Sequence, residues 1–272
     1  MEQSNNYSQQ LGQFLPTQNT TSHPFFYLSL GEWLTQADNK VLIASAESIA
    51  ANSDKLISSL ITYVQSVATE QCTIRVSLDK FTSQVINGIE TDRVAEESNP
   101  LMGVRGVARY ADPQFQAWFK LECDLIKALR SRFSDVSIVV PFVRSLADAA
   151  RIIDKLAEQG LPRGLNGLKV LFSINVPSSA LLAERLLHYF DGLVIDSEDL
   201  TQFTLGVDKS NSVHQHSYAP DNESIVNLIT LAQQAAHSAK KPAILLTENL
   251  EKNRAYQLLI SESPELKAVV TA

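Results

Sequence analysis

The stretch VSIVVPFVRSLADAARIIDKLAEQGLPRGLNGLKVLFSINV, Val136–Val176, decides the fold class of this chain. It begins with a nearly continuous apolar run, VSIVVPFV, and ends with a second one, KVLFSINV. Such runs are typical of strands that are covered on both faces, as in a parallel sheet. Between them, Ser145 can cap an amphipathic helix that Gly160 ends. The strand–helix–strand order predicts parallel strands joined by a right-handed crossover.

The same alternation runs through the rest of the chain. Further strands are predicted at Phe25–Leu30, Thr73–Leu78, Gly192–Ile195, Ala243–Thr247 and Lys267–Thr271, with a weaker one at Gly103–Val107. Further helices are predicted at Ala44–Val67, Asp112–Arg132, Ser178–Tyr189, Asn222–Lys240 and Asn249–Ile260. This pattern predicts an α/β fold, a closed (β/α)8 TIM barrel, with an open doubly wound sheet as the alternative. No GxGxxG motif follows a strand, which weakens the dinucleotide-binding alternative.

Length and composition exclude several classes of protein. The chain has 272 residues and a net charge of −7, without a basic block that would favour nucleic acid. No apolar run approaches the roughly 18 residues that a membrane span requires. Residues 1–24 are polar and predict a flexible tail without signal-peptide features, ahead of one barrel domain over 25–272. Cys72 and Cys123 form no metal pattern, so we expect a reduced, cytoplasmic protein.

The second informative stretch is NPLMGVRGVARY, Asn99–Tyr110. Arg105 and Arg109 lie four residues apart, and Gly106 follows the first of them. A guanidinium group offers paired donors to carboxylate or phosphate oxygens, and a neighbouring glycine lets the backbone approach a ligand. The stretch is therefore a candidate anion site. The alternative is a surface loop with two solvated arginines.

Other polar residues fall at the ends of predicted strands, where the site of a barrel enzyme lies. Arg75 lies inside the strand Thr73–Leu78, and we expect its side chain near the outlet of that strand. The residues at the other strand ends are Arg144, Asn175, Asp196, Glu198, Asp199, Thr247 and Glu248. Their positions predict one polar cluster at a single end of the barrel.

Four segments resemble, in order, the C-terminal PEP/pyruvate-binding barrel of the phosphoenolpyruvate synthase (pyruvate, water dikinase) family. They are NPLMGVRGVARY, VVPFVRS, NVPSSALLAE and FDGLVIDSEDLTQFTLGVDKS, and the resemblance is clear from about Thr73 to Asp208. It implies a barrel that binds a small anion such as PEP or pyruvate together with Mg²⁺. It also implies that Arg75, Arg105 and Arg144 hold the phosphoryl and carboxylate groups.

The resemblance places the metal ligands of the family on Asn175, Glu198 and Asp199. The family has Glu at the position of Asn175 and Asn at the position of Glu198, so two carboxylates and one carboxamide are kept. Mg²⁺ prefers hard oxygen ligands and often uses only one or two carboxylates, so a rearranged Mg²⁺ site at these residues is one prediction. The alternative is drift, with no metal site retained.

One departure affects the chemistry directly. The family moves a proton at the methylene carbon with a cysteine on its seventh strand, and that position is Leu246 here. Leucine does not titrate, so this general acid/base step is removed. Glu248 is a weak candidate for a replacement base, and His214 and His216 are weak candidates for metal contacts. We recognise no ATP-binding or phosphohistidine domain ahead of the barrel.

Three functions follow from these features. The first is a stand-alone, non-catalytic pseudoenzyme that binds PEP or pyruvate or regulates a synthase. By resemblance, it would form a homodimer or associate with a full-length synthase. The second is a metal-dependent enzyme that acts on PEP or pyruvate enolates, such as a lyase or aldolase. The third is a purely structural interaction protein, since a fold alone does not determine function.

Overall fold

The computed structural model describes residues 25–89, 97–213, 215–248, 250–263 and 265–270. In this part of the chain, seven parallel strands form one sheet and are hydrogen-bonded in sequence order. The strands are β1 Phe25–Ser29, β2 Thr73–Ser77, β3 Asp135–Val140, β4 Val170–Ile174, β5 Leu193–Asp196, β6 Ala243–Thr247 and β7 Leu266–Val270. The predicted α/β class and the parallel sheet are confirmed.

The sheet curves into a nearly closed barrel. Successive residues of a strand face opposite sides of a sheet, so every second side chain points to the interior. One interior cluster unites side chains of the first and last strands: Phe25, Val139, Leu171, Val194, Ile244, Leu246 and Val269. Because Phe25 of β1 and Val269 of β7 belong to the same cluster, the two ends of the sheet approach each other. The outward side chains join a larger core beneath the helices.

Helices surround the sheet, as the alternating pattern predicts. They are α1 Leu30–Leu34, α2 Ala37–Lys40, α3 Ala46–Val67, α4 Ser83–Asn87, α5 Val107–Tyr110, α6 Gln116–Arg130, α7 Leu146–Glu158, α8 Pro177–Leu181, α9 Ala183–Leu186, α10 Ser197–Leu205, α11 Glu223–Ser238 and α12 Arg254–Glu262. Turns of 3₁₀ helix lie at Val41–Ile43, Pro100–Met102, Pro113–Phe115, Leu165–Gly167, Gln215–Ser217 and Leu250–Lys252.

Helix α3 illustrates why the predicted helices form. Ser45 caps it by accepting a hydrogen bond from the backbone N–H of Ser48. Its buried residues Leu56, Leu60 and Val64 recur at helical spacing, and this face packs against α6. Burial of each such side chain contributes about 1.5–3 kcal/mol, which exceeds what helix propensity alone supplies.

The predicted strand at Gly103–Val107 is wrong. A 3₁₀ turn ends at Met102, and α5 begins at Val107. Gly106 between them has φ +56° and ψ −128°, a conformation that is incompatible with a strand and that favours glycine. The apolar residues of this segment therefore misled the prediction, because Val107 packs as the first residue of a short helix and not in a ladder.

Other differences are smaller. The predicted helix Ser178–Tyr189 is divided into α8 and α9 at Leu182, whose φ and ψ of −98° and 6° are not helical. The helix predicted from Asp112 begins at Gln116, after a 3₁₀ turn that Asp112 caps. Residues 1–24 and His214 lie outside the described residues. Among the described helices, none combines the length and the apolar character that a membrane crossing requires.

Candidate functional site

The turn after β2 supplies a cation to the mouth of the barrel. Lys80 Nζ lies 2.5 Å from Asp196 Oδ2 and 3.0 Å from Asp199 Oδ2. Asp196 is the last residue of β5, and its Oδ1 caps α10 by accepting a hydrogen bond from Asp199 N at 3.1 Å. A strand end and the first turn of the following helix therefore place both carboxylates at the carboxyl end of the barrel, next to the Lys80 ammonium.

Asn175, which follows β4, is the second donor to this pair. Its Nδ2 donates to Asp199 Oδ2 at 2.9 Å and to Asp196 Oδ2 at 3.3 Å. Its Oδ1 accepts a hydrogen bond from Phe142 N at 3.0 Å. A backbone N–H can only donate, so the carboxamide oxygen must face Phe142 and the NH₂ group must face the carboxylates. Asn175 is fully buried, which makes this orientation a fixed feature of the site.

The charges of this cluster depend on one another. Burial opposes the charged form of Lys80, but Asp196 and Asp199 outweigh it, so the pKa of the Lys80 ammonium lies well above its usual range. Burial, and then the charge of Asp199, raise the pKa of Asp196. Burial also opposes ionisation of Asp199, but Lys80 and Arg105 outweigh it and lower the pKa of that carboxyl. Lys80 is therefore a charged partner of the acidic pair.

Arg105 and Arg144 lie together beside the ring of Phe142. The guanidinium carbon of Arg105 is 4.3 Å from the ring centroid, and that of Arg144 is 4.9 Å from it. Arg105 donates from Nε to Lys80 O at 2.9 Å, and Arg144 donates from Nη1 to Arg105 O at 3.2 Å. Cation–π contact and carbonyl acceptors hold both groups without neutralising them. The predicted proximity of these two arginines is confirmed.

Two unusual backbone conformations shape this corner of the mouth. Phe142 has φ +56°, which is uncommon for a residue with a side chain, and the hydrogen bond from its N–H to Asn175 helps to hold it. Gly106 packs directly against it, since a Cβ at this position would lie 2.6 Å from Pro141 O and 2.7 Å from Phe142 Cβ. Glycine at 106 is therefore required by both its φ and its surroundings.

Arg75 is not part of this group. It lies in the middle of β2, and its Nη1 forms hydrogen bonds with Ser137 Oγ at 3.0 Å and with Asp135 Oδ1 at 3.3 Å. Asp135 is the first residue of β3, so the guanidinium of Arg75 is directed toward the amino ends of the strands. The expectation that Arg75 meets Arg105 and Arg144 at the outlet is wrong, because an acidic partner lies at the opposite end of the neighbouring strand.

Glu198 points to a different part of the rim from Asp199. Its Oε1 accepts hydrogen bonds from Glu248 N at 3.0 Å and from Ser197 Oγ at 3.1 Å. Burial, and then the charge of Asp196, raise the pKa of Glu198 to about 7. The exposed side chain of Glu248 forms an ion pair with Lys209. Glu198 and Asp199 therefore bind different partners, although they are adjacent on α10.

A second ionic cluster lies behind the mouth, between the turn after β2 and the helices α5 and α6. Arg109 Nη1 donates to Asp79 Oδ1 at 3.2 Å, and Glu122 Oε1 accepts from Asp79 N at 2.7 Å. Tyr110 donates its hydroxyl to Asp79 O at 2.6 Å. All four side chains are buried. Burial, and then the charge of Asp79, raise the pKa of Glu122 well above its ordinary value.

Comparison with known proteins identifies the family. The model of the PEP-utilising enzyme family, PEP-binding domain, matches residues 38–261. This chain belongs to the PEP-utilising enzyme family. A phosphoenolpyruvate synthase of Pseudomonas aeruginosa is 43% identical over 148 residues, which is 54% of this chain and 19% of that protein. The phosphoenolpyruvate synthase of Neisseria meningitidis is 36% identical over 192 residues, which is 69% of this chain and 24% of that protein.

The PEP-binding domain thus spans about a fifth to a quarter of the curated relatives it matches. The resemblance drawn from its motifs is confirmed. Among solved structures, it is similar to a citrate lyase beta subunit from M. tuberculosis, with 13% identity, a TM-score of 0.45 and coverage of 90% of this chain and 80% of that one. A pyruvate kinase from Pyrobaculum aerophilum has 11% identity, a TM-score of 0.45 and coverage of 83% and 58%.

The residues of this PEP-binding domain do not fit the Mg²⁺ site predicted at Asn175, Glu198 and Asp199. Mg²⁺ takes oxygen ligands at about 2.1 Å. The amide N–H groups of Asn175 face the carboxylates of Asp196 and Asp199. Glu198 accepts a hydrogen bond from the backbone N–H of Glu248. Lys80 already lies between Asp196 and Asp199. Across the described residues, no three His, Cys, Asp or Glu side chains are grouped so that they could hold a metal ion.

Leu246 lies where the family resemblance places a cysteine. It is paired with Asp196 in the β5–β6 register, so the two side chains share the barrel interior. It is 4% exposed and packs with Val194, Ile244 and Val269. The side chain next to the acidic pair on this strand is thus aliphatic, and Thr247, which follows it, is buried.

Sequence reasoning missed Lys80, Asp79, Glu122 and Phe142. These two residues, Asp79 and Lys80, directly follow the predicted strand Thr73–Leu78, so the rule that selected the other strand-end residues applied to them as well. Glu122 lies on an amphipathic helix, where a single acidic residue gives no signal of burial. Phe142 was read as part of a continuous strand, and its left-handed backbone is visible only in the structure.

Proposed function

We propose that this PEP-binding domain binds a small carboxylate-bearing anion of the PEP or pyruvate type and does not perform the proton transfer of its relatives. The observation that carries this proposal is the pairing of Leu246 with Asp196 inside the barrel. A ligand at the mouth would meet charged donors on one side and an aliphatic side chain where an acid or base is needed. Leucine neither donates nor accepts a proton, so enolate chemistry at this position has no general acid/base.

Support for anion binding comes from the retained cations. Arg105 is 5% exposed, and its partners among the described residues are the carbonyl oxygens of Lys80 and Leu101 and the rings of Phe142 and Phe203. Within the described part of the chain, neutral partners leave the positive charge of the guanidinium without an acidic contact, although Asp199 and Asp196 lie near enough to favour that charge. A carboxylate or phosphate at the mouth would add the missing anionic partner.

The test of binding is ligand-observed NMR or calorimetry with PEP, pyruvate and oxalate, each with and without Mg²⁺. We expect binding that falls at least about tenfold in Arg105→Met, the loss expected for one charge-assisted contact. Arg132→Met is the matched control, because Arg132 is exposed beyond the carboxyl end of α6. Arg105→Lys keeps the positive charge but loses the paired donors of the guanidinium, and it replaces Arg105→Met as the test variant if Arg105→Met does not fold. Absence of binding at millimolar concentration of all three ligands would favour a purely structural role.

The test of catalysis is exchange of the pyruvate methyl protons in D₂O. We expect no exchange above the buffer rate. Exchange that is abolished by Asp199→Ala would establish the alternative, an enzyme that acts on pyruvate enolates. The cytoplasmic location stays a prediction. The homodimer and the association with a full-length synthase are predictions as well; size-exclusion chromatography tests the first, and a pull-down with a phosphoenolpyruvate synthase tests the second.

A further inference from the structure

The acidic pair at the mouth already has a cation. Asp196 Oδ2 and Asp199 Oδ2 are both contacted by Lys80 Nζ, at 2.5 and 3.0 Å, and both by Asn175 Nδ2, at 3.3 and 2.9 Å. We propose that the Lys80 ammonium is the resident cation of this pair and takes the place of a divalent metal. This inference deepens the proposed function and rests on it only where it concerns the ligand.

The donor set explains why a divalent metal is disfavoured. A metal bound to the two Oδ2 atoms would lie beside an ammonium and an amide N–H, both of which present positive hydrogens to it. The remaining oxygen of Asp196 is used by Asp199 N, and the oxygen of Asn175 is used by Phe142 N. The metal would therefore have to displace Lys80, and Asn175 could supply an oxygen ligand only by giving up its hydrogen bond to Phe142.

The turn that carries Lys80 is held in place on both sides. Lys80 O accepts a hydrogen bond from Arg105 Nε at 2.9 Å, and the preceding residue, Asp79, is bonded through its N–H to Glu122 and through its carbonyl to Tyr110. The backbone position of Lys80 is thus set by groups that do not face the mouth. A preorganised ammonium loses less entropy on pairing than a free surface lysine does.

The charge balance of the mouth agrees with this assignment. Lys80 contacts both Asp196 and Asp199, and Arg105 is bonded to Lys80 O, so two cationic side chains lie beside the two carboxylates without a metal. The side chain of Lys80 is 32% exposed, in contrast to 7% for each aspartate. An ammonium has three donors, and among the described residues only the two aspartates accept from Lys80, so one donor is left for an anion in the mouth. Binding of such an anion would then require no metal.

The experiment measures metal binding directly and uses no organic ligand. Mn²⁺ is titrated into the full chain, and free Mn²⁺ is followed by its EPR signal, up to about 1 mM, the weak end of functional divalent sites. We expect no Mn²⁺ bound to the wild type. Lys80→Met leaves the two carboxylates without their cation, so we expect it to bind Mn²⁺ at least tenfold more tightly, and Lys80→Met/Asp199→Asn to lose that binding.

Lys209→Met is the matched control, since it removes another lysine that pairs with a carboxylate at the rim, Glu248. It should gain no Mn²⁺ site. The proposal is overturned if the wild type binds Mn²⁺ and Asp199→Asn abolishes this binding, or if folded Lys80→Met gains nothing. Circular dichroism establishes the folding of each variant; where Lys80→Met does not fold, the comparison of wild type with Asp199→Asn decides alone.

A second titration distinguishes failure of this inference from failure of the proposed function. Titration of PEP and pyruvate is repeated in EDTA, and we expect the same affinity as in Mg²⁺. If the Mn²⁺ titrations give the expected results but neither PEP nor pyruvate binds, the proposed function is rejected and the assignment of Lys80 stands. Binding of either anion only in the presence of Mg²⁺ would reject the assignment of Lys80 and keep the function.

Discussion

Two ionic clusters lie on either side of the turn after β2, and consecutive residues belong to different ones. Asp79 joins Arg109 and Glu122 behind the mouth, which we call the sealed cluster, and Lys80 joins Asp196 and Asp199 in the mouth cluster. In the sealed cluster every side chain is at most 1% exposed. In the mouth cluster the lysine is 32% exposed.

The difference between the clusters lies in how each reaches neutrality. The sealed cluster has two carboxylates and one guanidinium, and burial, followed by the charge of Asp79, raises the pKa of Glu122 and so favours its protonated form. In the mouth cluster Lys80 and Asp199 favour their charged forms, with the Arg105 guanidinium nearby, whereas burial and the charge of Asp199 raise the pKa of Asp196. Similar side chains thus form a fully buried cluster in one place and a partly exposed cluster in the other.

Loss of the guanidinium from the sealed cluster is expected to have the largest effect on the free energy of unfolding. Arg109→Met leaves Asp79 buried without its cation, and breaking a buried pair in this way costs about 3–5 kcal/mol. Urea unfolding at pH 7 measures the change in the free energy of unfolding. Arg132→Met, at an exposed position, is the control and should change it by less than about 0.5 kcal/mol. A cost below 1 kcal/mol for Arg109→Met would contradict the assignment of a structural role to this cluster.

The second largest loss of stability is expected at Gly106, which lies between Arg105 at the mouth and Arg109 of the sealed cluster. Gly106→Ala adds a Cβ where Pro141 O would lie at 2.6 Å and forces a residue with a side chain to φ +56°. Overpacking and left-handed strain together cost about 3 kcal/mol. Gly160→Ala is the matched control, since Gly160 has φ +78° with open space around it, and it should cost only about 1 kcal/mol. Equal costs would show that crowding against Pro141 is unimportant.

A smaller, pH-dependent effect is expected in the mouth cluster. Asp199→Asn removes a charged acceptor of Lys80 and Asn175, so it should cost about 2 kcal/mol at pH 7. The folded-state pKa of Asp199 is lowered, so its contribution is present above the unfolded pKa of about 3.9 and is lost as the pH falls through the folded value. Urea unfolding of both proteins should therefore show a difference that is constant from pH 7 to about pH 4.5 and narrows as the pH falls below about 4.

Asp154→Asn, on the exposed face of α7, is the control for this series and should change the free energy of unfolding by less than about 0.5 kcal/mol. A difference between wild type and Asp199→Asn that stays constant with pH would mean that Asp199 is not held ionised by Lys80 and Arg105.

The smallest loss of stability is expected for Glu122→Gln, and its dependence on pH should be opposite to that of Asp199→Asn. The folded-state pKa of Glu122 is raised, so its contribution to stability is present below the unfolded pKa of about 4.3 and is lost as the pH rises. Glutamine mimics the protonated acid and keeps an oxygen for Asp79 N. Near pH 4 we expect a change in the free energy of unfolding within about 1 kcal/mol, and the variant should gain on the wild type as the pH rises from 5 to 8. A large loss at pH 7 would show that Glu122 is ionised in the native state.

Most of the barrel was predictable from residue patterns. The apolar runs from β1 to β7 and the helical spacing of α3 and α7 follow from burial, which acts on each segment separately. The segment Gly103–Val107 was misread because its apolar residues suit a strand, whereas its glycine has a backbone conformation that no pattern of hydrophobicity reports. The site was predicted in part: Arg105 and Arg144 meet, but Arg75 and Glu198 turn to other partners.

The amino-acid sequence by itself determined the parallel α/β barrel, the family and the aliphatic side chain of Leu246, because each depends on the identity or periodicity of residues along one strand or helix. The tertiary structure alone decided which partner each charged side chain has. Asp79 and Lys80 are neighbours in the chain and bind different clusters, and Lys80 reaches residues 116 and 119 positions away. Electrostatic pairing depends on distance in space and on burial, and neither can be read from the order of residues.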